Sequence, residues 1–124
     1  MLANGEPCRI LLAEDDTLIR QLLTDVLERA GYCVVAAPNG REALERLDEA
    51  HPHVLLTDVV MPHVDGLALL RAVRETPGYE NLPVLVYTAL DRVEVELDKV
   101  VVLQKGGRLG PVLESIAMLC EDAG

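Results

Sequence analysis

The chain has 124 residues, half of them apolar, and a formal net charge of −10 from 21 acidic against 11 basic side chains. A chain of this length makes one domain with a core that needs no staples. The acidic balance argues against partners that present a phosphate backbone or an anionic lipid surface, since both need clustered Lys and Arg. Phe and Trp are absent and only Tyr32, Tyr79 and Tyr87 are aromatic, so the core has to be built from Leu, Val, Ile and Ala.

Short β-branched-rich runs alternate with longer helical patterns, the signature of βαβ units around a parallel sheet. Residues 9–13 read as a first strand. Asp16 and Thr17 then cap a helix that runs to Ala30 with Leu18, Ile19, Leu22, Leu23, Val26 and Leu27 on one face, and Gly31 ends it. A second strand over 33–37 turns through Pro38-Asn39-Gly40 into a helix over 41–50, which Pro52 separates from a third strand, 54–57. Beyond Met61-Pro62 the spacing of Leu67, Leu70 and Val73 predicts a helix near 64–74, followed by a fourth strand over 84–87 and a fifth over 100–103. A last helix covers about 109 to 122, with Pro111 in its first turn and Val112, Leu113, Ile116 and Leu119 or Cys120 packing inward. Between them, residues 90–99 support two readings: Val93, Val95 and Leu97 alternate with acids at a strand period, while Val93, Leu97 and Val100 fit a short helix.

Cys8, Cys33 and Cys120 form an odd, widely spaced set with no CxxC pair. We therefore expect neither a disulfide framework nor a zinc site, and expect Cys33, inside an apolar run, to be a small core residue. No stretch approaches a membrane span, and Met1 to Pro7 is too polar for a signal peptide. A reducing, cytoplasmic setting is expected. His51, His53 and His63 lack metal-ligand spacing with the acids and read as loop residues.

Glu14, Asp15 and Asp58 each follow a run that reads as a strand. If those strands are parallel neighbours, the carboxylates share the crevice beyond their carboxyl ends, where ligands of such sheets bind. Two carboxylates about 4 Å apart repel by roughly 4 kcal/mol at an effective dielectric near 20, so a cluster of three implies a cation. Thr88 after the fourth strand and Lys105 after the fifth complete the set. Taken singly, Glu14-Asp15-Asp16 also reads as a solvated helix start, Lys105 as a surface lysine and Thr88 as a turn residue. Asp16 reads as a helix cap.

In order and strand context these motifs closely resemble the receiver domain of two-component response regulators. The match runs through Ile10-Leu11-Leu12-Ala13-Glu14-Asp15, Leu55-Leu56-Thr57-Asp58-Val59-Val60-Met61-Pro62, Asp65-Gly66, Leu82-Pro83-Val84 with Thr88-Ala89, and Lys105. It spans residues 8–120 of a single receiver domain, 1–124. The resemblance implies a flavodoxin-like, doubly wound (βα)₅ fold with parallel strand order 2-1-3-4-5. It implies that Asp58 is the nucleophile that takes a phosphoryl group from a histidine kinase or histidine phosphotransfer protein. Glu14, Asp15, Asp58 and the backbone carbonyl of Val60 would hold Mg²⁺, Lys105 would ion-pair with the phosphoryl oxygens, and Thr88 would hydrogen-bond one of them. The domain would be a signalling phosphoacceptor rather than an enzyme with its own substrate, and it would switch its interactions with a downstream protein. Ile19 and Leu22 match the kinase-docking positions, and at least one of the two is expected in the core.

Three departures from the family stand out. Gly106 replaces the proline that usually follows the lysine, Val102 stands where a Tyr or Phe usually reports phosphorylation, and the stretch from Thr88 to Lys105 is short, at the place of the family's fourth helix. They keep open an alternative, a pseudo-receiver that binds partners without being phosphorylated. A phosphohydrolase with an Asp nucleophile is a further competitor, but Val60 stands where its acidic general acid belongs. Gly124 follows the last helix so closely that no output domain is expected within this sequence.

Overall fold

The computed structural model describes residues 2, 4–58, 66–88, 99–105 and 108–123. Five strands, β1 (Arg9–Ala13), β2 (Cys33–Ala37), β3 (Val54–Thr57), β4 (Val84–Thr88) and β5 (Val100–Gln104), form one sheet in the order β2-β1-β3-β4-β5 with every pairing parallel. The described helices are α1 (Thr17–Arg29), α2 (Gly40–Ala50), α3 (Gly66–Arg74) and α4 (Gly110–Ala123). This is the flavodoxin-like order that the resemblance implies.

A parallel sheet needs a crossover between successive strands and is therefore covered on both faces, which demands strands apolar throughout rather than alternating. Leu11, Leu55, Val84 and Val86 face a cluster completed by Ala43 and Leu47 of α2 and Leu69, Leu70 and Val73 of α3. Ile10, Leu12, Leu56 and Leu85 face the opposite cluster with Leu23 and Leu27 of α1 and Val112 and Ile116 of α4. The central strands β1, β3 and β4 are buried almost end to end, and edge strands β2 and β5 are half-buried.

Local chemistry sets the element ends. Asp16 accepts the Ile19 N–H at 3.0 Å and Asn39 accepts the Glu42 N–H at 2.9 Å, each satisfying an amide with no helical partner. At the end of α1, the Gly31 N–H donates to Glu28 and the Tyr32 N–H to Leu27 with Gly31 at φ +100°, a Schellman closure that favours glycine.

Two cysteine expectations are overturned. Cys8 and Cys120 form a disulfide with their Cα atoms 6.1 Å apart, because α4 returns across the sheet and ends beside the entry to β1. Their separation of 112 residues hides that proximity from the sequence. Cys33 is exposed rather than core, because it opens an edge strand with a neighbour on one side only. Most of the ambiguous segment 90–99 lies outside the described residues; Lys99, just before β5, has φ +61°.

The edge of the sheet where β1 and β3 begin is tied together by His53. Its Nδ1 accepts the Arg9 N–H at 2.9 Å, and its own N–H donates to the Arg9 carbonyl at 2.8 Å. Burial, then the Arg9 charge, holds the imidazole below its ordinary value of 6.5. An unfolded chain therefore takes up a proton at this residue before the folded one does. The stabilisation is complete above the ordinary value and is lost as pH falls through the lowered folded value. Between about pH 7 and pH 5 the urea midpoint of the wild type should fall more than that of His53→Gln. Parallel pH profiles would contradict this assignment.

Candidate functional site

The opposite edge of the sheet carries the acids. Glu14 and Asp15 follow β1, and Asp58 follows β3, its N–H donating to the Ala13 carbonyl at 3.3 Å. Because β1 and β3 are hydrogen-bonded neighbours, their ends share one crevice. One carboxylate oxygen from each of Glu14, Asp15 and Asp58 lies within 4.8 Å of the other two, an arrangement that could hold a metal ion. Glu14 and Asp58 are buried, and Asp15 is open to solvent.

Lys105 arrives from the end of β5, where its N–H donates to the Thr88 carbonyl at 2.7 Å. Its Nζ donates to Asp58 Oδ2 at 2.6 Å and to Glu14 Oε1 at 3.0 Å. Burial pushes the Glu14 carboxyl above its ordinary value, against the pull of the Lys105 hydrogen bond and charge. For Lys105, burial works to lower the ammonium, but its bonds to Asp58 and Glu14 outweigh that and raise it. The lysine is therefore firmly charged, and the pocket is acidic with one internal cation among its described residues. Thr88 is buried at the end of β4, the strand beside β3.

The set of hard carboxylate oxygens, with solvent reaching one of them, suits Mg²⁺, which binds through one or two carboxylates and keeps waters. The chemistry of the donor set therefore fits the ion.

A model of the response regulator receiver domain matches residues 10–106. The chain belongs to that family. The transcriptional regulatory protein TrcR of Mycobacterium tuberculosis is 39% identical over 104 residues, which cover 84% of this chain and 38% of TrcR. The response regulator receiver protein CpdR of Brucella abortus is 52% identical over 90 residues, 73% of either chain. The receiver thus spans well under half the length of one curated relative and most of the other. Among solved structures, the response regulator protein TrrA of Thermotoga maritima in complex with Mg²⁺–BeF superposes with a TM-score of 0.78 at 26% identity, covering 90% of this chain and 98% of TrrA.

The structure brings Glu14, Asp15, Asp58 and Lys105 of this receiver together and sets Thr88 beside them. Val60 and Gly106 lie outside the described residues. Val102 is on edge strand β5, 39% exposed. Two participants were not legible in the sequence. Arg20, on the first turns of α1, donates from Nη1 to the Glu14 carbonyl at 2.8 Å and to the Asp15 carbonyl at 3.4 Å, pinning the acid-bearing loop. An arginine five residues past Asp15 is the only signal. Tyr87, which reads as an apolar strand residue, packs in the core with its ring centroid 5.7 Å from Lys105 Nζ, within the range of a cation–π contact.

Removing the lysine charge leaves two buried carboxylates facing each other. Lys105→Met should destabilise the metal-free protein by about 3 kcal/mol near neutral pH. The loss should shrink as the pH is lowered into the range where Glu14, already raised, takes up a proton. Denaturant titration in chelator at the two pH values measures this; a loss independent of pH would point to packing alone.

Proposed function

We propose that this receiver is a working phosphoacceptor, with Asp58 as the nucleophile toward a phosphohistidine of a histidine kinase or histidine phosphotransfer protein. One observation carries the reading: Asp58 sits at the carboxyl end of β3, in contact with Lys105 Nζ and within ligand distance of Glu14 and Asp15. An Asp58 Oδ attacks phosphorus, the P–N bond breaks, and the imidazole leaves, giving an aspartyl phosphate, a recognised covalent route. Lys105 Nζ, already bonded to Asp58 Oδ2, ion-pairs with the incoming phosphoryl oxygens. The Thr88 hydroxyl, at the end of the adjoining strand, hydrogen-bonds another. Glu14, Asp15 and Asp58, with the carbonyl of Val60, would hold Mg²⁺, which when bound offsets the repulsion between acidic pocket and anionic phosphoryl group. The Mg²⁺–BeF complex of TrrA, a protein of the same fold and family, supports this assignment. Arg20 keeps the Glu14–Asp15 backbone in place.

Partner docking falls on α1. Ile19 is partly buried against the core, while Leu18 and Leu22, one turn apart, are exposed at 77% and 51%. This apolar pair fits a phosphodonor helix surface. Among the described residues no helix is long and apolar enough to cross a membrane, and a kinase partner places the domain in the cytoplasm. The net charge of −10 disfavours direct binding to nucleic acid. A pseudo-receiver would share the fold but would not incorporate phosphate.

Incubated with Mg²⁺ and acetyl phosphate, the wild type should gain one acid-stable, base-labile acyl phosphate, and Asp58→Asn should gain none. Asp15→Asn should raise the Mg²⁺ concentration needed at least tenfold, read also as a smaller rise in melting temperature on adding Mg²⁺. Undiminished labelling of Asp58→Asn, or an unlabelled wild type, would sink the phosphoacceptor reading. Leu22→Asp should slow transfer from a phosphorylated histidine protein by tenfold or more and leave labelling by acetyl phosphate unchanged. Equal loss with both donors would mean damage to the fold.

A further inference from the structure

Away from the acidic pocket, the feature with unassigned chemistry is the cysteine pair. Cys8 stands immediately before β1 and Cys120 in the last turns of α4; both are almost wholly buried in the cluster on the α1 and α4 face. Cys33, the free thiol, is not part of it. It pairs in register with Arg9, so its side chain leaves on the sheet face opposite to that of Ile10, in the second cluster with Cys8.

We propose that Cys8 and Cys120 are an oxidative modification site, at which a low-molecular-weight disulfide closes a covalent tie between the entry to β1 and the end of α4 and a dithiol reopens it. Helix α4 is where such a tie matters. It is held to the sheet by apolar side chains such as Val112 and Ile116, no basic residue supports its last turn, and among the described residues no ion pair joins it to the sheet. A bond at its far end closes a loop of 112 residues, nearly the whole domain. If the domain works beside a cytoplasmic kinase, as the proposed function has it, such a bond belongs to the transient, redox-responsive kind rather than to a permanent disulfide framework.

The chemistry balances as ordinary thiol–disulfide exchange. Fraying of the last turn of α4 exposes Cys120, whose thiolate attacks one sulfur of oxidised glutathione and expels a glutathione thiolate. The Cys8 thiolate then attacks the Cys120 sulfur of the mixed disulfide and expels the second. The protein loses two electrons and two protons, and the oxidant leaves as two glutathione thiols. Reduction runs in reverse, with a dithiol leaving as its own cyclic disulfide.

The test uses the whole chain without mutation first. After oxidised glutathione, denatured wild type should show Cys8 and Cys120 joined to each other and Cys33 as a thiol or its glutathione adduct, and after dithiothreitol three reactive thiols. The oxidised form should melt higher by on the order of 10 °C, from the constraint placed on the unfolded chain, and its α4 amides should exchange more slowly. Cys33→Ser should keep the full shift, and Cys120→Ala should melt at one temperature under both treatments. If Cys120→Ala does not fold, the wild-type and Cys33→Ser comparisons carry the test. Three free thiols after oxidation, a lasting glutathione adduct on Cys8 or Cys120, a crosslink that leaves the melting temperature unmoved, or one that dithiothreitol does not open would each overturn the proposal.

Discussion

The contact of Lys105 Nζ with Glu14 and Asp58 governs the acidic edge of this domain, because it sets a cation between two buried carboxylates. Coulomb repulsion between them in a partly dry crevice is several times larger than in water. The lysine supplies hydrogen bonds at 3.0 and 2.6 Å that offset both this repulsion and the cost of burial. A buried ion pair of this kind is poor evidence for net stability, since its desolvation cost is of similar size. Its value is positional: it holds Asp58 at a defined point and keeps a cation beside it.

That contact depends in turn on strand order. Glu14 and Asp58 meet because β1 lies beside β3, and Lys105 reaches them because β4 and β5 follow on the same side. Backbone bonds just past the strand ends, Asp58 to Ala13 and Lys105 to Thr88, extend the sheet's register into the functional loops. The precision of the pocket is thus inherited from the ladder. The ladder is held by a core without Phe or Trp, in which Leu, Val and Ile fill both faces of the sheet and interlock with four helices among the described residues. Small Ala13, Ala37 and Ala43 let the α2 layer approach β1 and β2 closely.

The two edges of the sheet have separate duties. At the carboxyl ends of the strands the packing encloses charge at a cost, as the raised Glu14 carboxyl records. At the amino ends the contacts serve cohesion. His53 joins β1 to the segment before β3, and the Cys8–Cys120 bond joins the entry of β1 to α4. A change at one end can therefore alter stability without touching the acids at the other.

The alternation of strands and helices, the cap at Asp16, the Gly31 stop and the acids at strand ends were all legible in the sequence. Each follows from local chemistry: side-chain periodicity, an N-cap acceptor, a positive φ, a charge after an apolar run. The strand order became legible through family motifs, not through any one residue. What the sequence could not give was anything fixed by the meeting of distant segments. Cys8 and Cys120 stand 112 residues apart and were read as unpaired, and Cys33 was read as core although its strand lies at the sheet's edge. Tyr87 stood in the sequence only as one of three aromatics, and the approach of Lys105 from the end of the next strand made it a cation's neighbour. Arg20 lies only six positions past Glu14, yet no local pattern marked it as the side chain that donates to the Glu14 carbonyl. The sequence by itself determined which residues form each element and which carry charge to the strand ends; the tertiary structure alone decided which of those charges, thiols and rings touch, because contact across 18 to 112 positions depends on sheet order and helix return rather than on local pattern.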